Sequence, residues 1–157
     1  MAALLYMRWS DGGTVEEDAV VNDTKLTHIT APDGVAPGMG YTHVVIGSGR
    51  LVVLSGQVAL NEQGEVVGAG DPAAQARQVF DNLRSCLTAA NATFDDVVKL
   101  TYFVTDVGHL SAVRAVRDAY IDTERAPAST AVQVAALFRP ELLLEVDALA
   151  LIPETAQ

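Results

Sequence analysis

The sequence predicts an α+β fold: a six-stranded mixed sheet with two amphipathic helices on one face. Three observations predict it. Between Asp71 and Asn91, and again between Leu110 and Tyr120, apolar residues recur at three- and four-residue spacing, the mark of a helix with one buried face. Short runs rich in Val, Leu, Ile and Thr lie before, between and after those two segments. The last of these runs, Leu142–Ile152, places Glu145 and Asp147 on one side of a strand and Leu142, Leu144, Val146, Ala148 and Ala150 on the other.

Residues 1–24 read as an acidic N-terminal extension: Asp11, Glu16, Glu17, Asp18 and Asp23 stand against the lone base Arg8, and the segment is either a docking strand at about Ala3–Met7 or a disordered tail. Residues 25–157 read as a single domain. Leu26–Ile29 is a first strand, and Ala31–Gly40, with two prolines and three glycines, is a loop. Thr42–Ile46 and Leu51–Ser55 flank Gly47-Ser48-Gly49-Arg50 and read as a β-hairpin. Asn61–Gly70 is broken by glycines, with a short strand at Glu65–Val67. Asp71-Pro72 opens the first helix, a capping carboxylate followed by proline at the first helical position. Its apolar face is Ala76, Val79, Phe80, Leu83, Cys86, Leu87 and Ala90. Val97–Val104 is the next strand, and Leu110, Val113, Val116 and Tyr120 form the stripe of the second helix, with Arg114, Arg117 and Asp118 off it. Pro127 bars further helix, and the strands Thr130–Ala136 and Leu142–Ile152, joined by an Arg139-Pro140 turn, close the order β-β-β-α-β-α-β-β. The face the helices leave uncovered would carry Glu145, Asp147 and Gln133 together with Leu143, Leu149 and Leu151, which suggests self-association.

A formal charge of −10 disfavours contact with phosphate backbones, and the ten Lys and Arg residues are scattered, so no nucleic-acid partner is expected. Cys86 is the single cysteine, which excludes an intrachain disulfide and fits a reducing cytoplasm. The opening residues are too short and interrupted for a secretory signal, and no apolar run approaches the ~20 residues of a membrane span. His28, His43 and His109 lie far apart, so no metal site is expected, and neither a phosphate-binding loop nor a dinucleotide fingerprint is present. Glu145 and Asp147 admit two readings: carboxylates solvated on an outer face, or one of them handling a proton or a water. Ser55-Gly56-Gln57 ends an apolar strand; its glycine either makes a bulge or admits a close ligand.

In order along the chain, Gly40-Tyr41, Ser55-Gly56-Gln57, Gln75-Ala76-Arg77-Gln78, Asp81-Asn82-Leu83, Asp96–Asp106, Pro127-Ala128 and Glu145–Ala150 resemble the RidA/YjgF family, also called L-PSP. The likeness spans roughly residues 25–152. It implies a chorismate-mutase-like fold, a homotrimer with small-molecule clefts between subunits, and cofactor-free hydrolysis of reactive imines and enamines. By the same likeness Glu145 positions the attacking water, while Tyr41, Ser55, Phe103, Ser129, Thr130 and Ala131 line the cleft. In two respects the chain departs from the family deaminases, the smaller being Ala131 where they have a cysteine. They carry an arginine after Pro-Ala that grips a substrate carboxylate; here that position is Ser129. Arg125 and Arg139 are candidates to replace it. The expected function is therefore a divergent imine or enamine deaminase. A non-catalytic small-molecule-binding trimer is the alternative, and an RNA-cleaving translation inhibitor is the weaker one.

Overall fold

The computed structural model describes residues 26–154; the acidic extension and its candidate strand lie outside the described residues. The elements are β1 (Thr27–Ile29), β2 (Val44–Ile46), β3 (Arg50–Val58), α1 (Pro72–Ala89), β4 (Val97–Val104), α2 (Leu110–Arg117), β5 (Ala128–Gln133) and β6 (Leu144–Ile152). Their order is the one expected, and the α+β class holds. The pairing differs in two places. The six strands divide into a four-stranded sheet, β3-β6-β4-β5, and a separate ribbon, β1-β2. The expected β2–β3 hairpin does not form, because β2 pairs with β1 while β3 finds its partner at the far end of the chain, in β6. Likewise β5 and β6 are not neighbours; both flank β4, which runs parallel to β5 and antiparallel to β6. Glu65–Val67 contributes only an isolated bridge between Leu60 and Val66.

Connectivity explains why both helices cover one face. The crossovers β3–α1–β4 and β4–α2–β5 advance in the same direction across the sheet, and crossovers of one hand put both helices on the same side. Asp71 caps α1 by accepting from the amides of Ala73 and Ala74 at 2.9 and 3.0 Å. Val79, Phe80, Leu83 and Leu87 of α1 are buried against Leu100 and Val104 of β4 and Val146, Ala148 and Ala150 of β6. Two amides bolt α1 to the strands. Gln75 is fully buried; its Nε2 donates to the Glu141 carbonyl at 2.7 Å and its Oε1 accepts from the Leu143 amide at 2.8 Å. The Asn82 Nδ2 donates to the Val58 and Leu60 carbonyls, both at 3.0 Å, where β3 ends. These bonds fix both ends of the region that carries the site.

Candidate functional site

Along β6 the exposure alternates residue by residue, so Leu144, Val146 and Ala148 face the helices and Glu145, Asp147 and Leu149 face away from them. On that uncovered face the strand registers set Phe103 opposite Glu145 and Thr101 opposite Asp147. Thr130 and Val132 of β5 lie beside Thr101 and Phe103, and the Lys99 ammonium donates to the Thr130 hydroxyl. Gln133, expected on this face, instead pairs with Val104, and its Oε1 accepts from the Val107 amide at 3.1 Å. The face is apolar toward its far end, where Leu51 and Val53 are 57% and 67% exposed beside Leu151 and Leu149.

The ladder between β3 and β6 slips between Leu54 and Gln57, so Ser55 and Gly56 form a bulge. A side chain on Gly56 has no room: an ideal Cβ would stand 2.7 Å from the Glu145 Cδ and 2.9 Å from its Cγ. Glycine here seats the Glu145 side chain against the backbone of β3.

The other face holds a pocket of about 220 Å3. Ser129 and Ala131 of β5 and Tyr102 of β4 line it, the loop Met39–Tyr41 closes one side, and Leu110, Val113, Arg114 and Arg117 of α2 close the other. Arg117 is buried and committed. It donates to the Asp118 carboxylate at 2.6 and 2.9 Å and to the Gly40 carbonyl at 2.8 Å, holding the loop that carries Tyr41. Arg114 is exposed and makes no ion pair among the described residues. The Tyr102 hydroxyl is buried without a hydrogen-bond partner among them. Burial pushes its pKa up to about 12, against the partial pull of the nearby Arg117 guanidinium.

The residues singled out from sequence thus fall into two groups on opposite faces of one sheet. Tyr41, Ser129 and Ala131 share the pocket beneath α2. Glu145, Phe103 and Thr130 lie on the uncovered face, and Ser55 sits in the exposed bulge at the sheet edge. Neither arginine proposed to replace the missing one lines the pocket. Arg125 is exposed in the short turn Thr123–Arg125, and Arg139 donates to the Gly64 carbonyl at 3.0 Å. Sequence reasoning missed Arg114, Arg117 and Tyr102. Their only mark in the sequence is that Arg114 and Arg117 stand three residues apart on one helix face, a spacing ordinary on solvated helix surfaces. The histidines stay separate: His28 bonds the Ala126 carbonyl and His43 the Ala36 carbonyl. Among the described residues no group of three or more His, Cys, Asp or Glu is placed to hold a metal, and no helix is long and apolar enough to cross a membrane. Cys86 is half-buried on α1 against the core.

Both helices on one face of a mixed sheet, a carboxylate-bearing strand on the other face and a small pocket lined by two arginines at the sheet edge define an α+β class. The chain belongs to the endoribonuclease L-PSP family, the RidA/YjgF group, whose model matches residues 30–152. It is 37% identical over 105 residues to the 2-iminobutanoate/2-iminopropanoate deaminase of Escherichia coli, covering 65% of this chain and 80% of that one. It is 32% identical over 122 residues to the 3-aminoacrylate deaminase RutC of Acinetobacter baylyi, covering 78% and 95%. Among solved structures, a Rid-family protein of unknown function, YyfB from Yersinia pestis, superposes with a TM-score of 0.72 at 38% identity, covering 81% of this chain and 98% of that one.

Proposed function

We propose that this chain forms a homotrimer and hydrolyses a small reactive imine or enamine in clefts between subunits, with Glu145 positioning the water. One observation carries the reading: the family's site positions lie on opposite faces of one sheet, Tyr41, Ser129 and Ala131 beneath α2 and Glu145 with Phe103 on the uncovered side. Side chains pointing to opposite faces cannot touch one small molecule within a single copy. A second copy that lays its uncovered face beside the pocket completes the site and also removes Leu51 and Val53 from water. The names of the Escherichia coli and Acinetobacter relatives, both deaminases of such compounds, support the reaction class.

The chemistry balances with water alone. Water adds to the carbon of the C=N bond as Glu145 takes one of its protons; the C–O bond forms and the π pair moves to nitrogen, which is protonated. The resulting carbinolamine then collapses, the C–N bond breaks, ammonia leaves and a carbonyl remains. No electron enters or leaves, so no redox carrier is needed. An enamine joins the same path after protonation at carbon.

Glu145→Gln tests the reading, with the imine generated in situ and keto-acid formation followed. It is expected to lower turnover by about 10²–10⁴-fold while light scattering still gives three times the 16.6 kDa chain mass. Unchanged turnover would remove Glu145 from the mechanism, and a monomeric mass would remove the cleft. Ser129 favours the competing reading, a trimer that binds without converting, because β5 offers a hydroxyl where a deaminase has a guanidinium. Wild-type chain that binds but does not turn over any imine would establish that alternative.

A further inference from the structure

We propose that Arg114, projecting from α2, supplies the carboxylate grip that β5 lacks, so that the ligand of this chain is a small carboxylate. The inference rests on the cleft reading above and names its substrate class. Arg114 borders the same pocket as Tyr41, Ser129 and Ala131, so a guanidinium reaches that space from the helix rather than from the strand. The two arginines of the pocket have different duties. Arg117 is fixed by Asp118 and the Gly40 carbonyl, whereas Arg114 makes no ion pair among the described residues and keeps its planar fork available. Such a fork matches a carboxylate through two parallel charge-assisted bonds.

The surroundings suit the same ligand. Among the described residues no carboxylate lines the pocket, and the charged side chains that do are Arg114 and Arg117, the latter paired with Asp118. The Tyr102 hydroxyl, 5% exposed as a residue and without a hydrogen-bond partner among the described residues, is a donor beside the pocket. With a pKa pushed up to about 12 it stays a donor across the physiological range. At about 220 Å3 the pocket is smaller than the ~300–1,000 Å3 that houses drug-sized molecules, which selects an acid of a few carbons.

The test uses the full chain in its assembled state and 2-oxobutanoate, the stable carbonyl counterpart of an imino acid, with neutral 2-butanone as control. Binding is read by calorimetry. Arg114→Gln is expected to weaken 2-oxobutanoate by at least about tenfold, the loss of a charge-assisted pair, with Arg114→Lys between it and wild type and 2-butanone binding unchanged. Arg114 is exposed, so folding is not at stake; a melting curve matched to wild type confirms that. Arg114→Gln within twofold of wild type, or no saturable binding of 2-oxobutanoate to wild type, overturns the proposal. The readout is separate from turnover. Arg114-dependent binding in a chain that hydrolyses nothing sinks the hydrolase reading and keeps this one, and turnover insensitive to Arg114→Gln does the reverse.

Discussion

Replacing Gly56 by alanine is a one-methyl probe of Glu145. The new Cβ would lie 2.7 Å from the Glu145 Cδ, far inside van der Waals contact, so one of the two groups must move. Gly56 belongs to the β3 backbone, held in the β6 ladder on both sides of the bulge, whereas what it would meet is the end of a half-buried Glu145 side chain. The carboxylate therefore moves. Pushing it off its rotamer costs about 0.5–1.5 kcal/mol, and removing a glycine from the unfolded chain returns about 0.4–1 kcal/mol where the backbone tolerates it. Gly56 has no positive φ, so the backbone does tolerate it. Net stability is expected to change by less than about 1 kcal/mol, while on the proposed mechanism a displaced Glu145 no longer positions the water and turnover falls by about 10²-fold or more. The assay is a double-mutant cycle with Glu145→Ala, scoring chemical denaturation and imine turnover. In the Glu145→Ala background, Gly56→Ala should cost no further activity and should stabilise rather than strain the fold. Turnover of Gly56→Ala within threefold of wild type, or equal destabilisation in both backgrounds, would refute the idea that the bulge glycine seats the carboxylate.

Tyr102→Phe removes a buried hydroxyl that has no partner among the described residues, so at neutral pH it should be neutral or stabilising by about 1 kcal/mol in denaturant melts, while weakening 2-oxobutanoate binding. The same variant tests the raised pKa. Between pH 10 and 12 the unfolded tyrosine loses a proton that the folded one keeps, so wild-type stability falls as pH rises, by on the order of 2–3 kcal/mol across that window. Tyr102→Phe should flatten that slope, and parallel slopes would contradict the burial effect. Gln75→Ala leaves the Glu141 carbonyl and the Leu143 amide without their partner; at about 1–3 kcal/mol for each unpaired group, the melting temperature should drop by at least about 4 °C, and a drop under 1 °C would show that the α1–β6 bolt carries no load.

Element identity was legible because it is written locally. The α1 stripe and its Asp71-Pro72 start, and the strict alternation of β6, specify their elements within a dozen residues, and all appear where expected. Strand partnership is not local. Gly47-Ser48-Gly49 has the composition of a hairpin turn, yet its glycines serve long-range contacts. A Cβ on Gly49 would overlap the Ile152 carbonyl, and one on Gly47 would overlap the Leu26 side chain. Those glycines let the C-terminal strand and the chain before β1 approach closely; they do not fold β2 back onto β3. The same limit hid half of the site. Glu145 stood out because a carboxylate interrupts an apolar alternation. Arg114 did not, because an arginine off the helix stripe is the ordinary composition of a solvated face, and only the loop at Met39–Tyr41 and the edge of β5 turn that face into a pocket wall.

Ser129 on β5 and Arg114 on α2 border one pocket, so the charge at one position bears on the charge at the other. A guanidinium on β5 at position 129 and another on α2 at position 114 would face each other across one small pocket that already holds Arg117. Three like charges around about 220 Å3 repel, and only one has a carboxylate of its own, Asp118. With Ser129 on the strand, the pocket carries one neutralised arginine and one available charge, the complement of a single carboxylate. On the proposed reading, Ser129 is the residue that makes room for Arg114: the grip moves from strand to helix, while Glu145, on the opposite face of the sheet, keeps the position proposed for the hydrolysis.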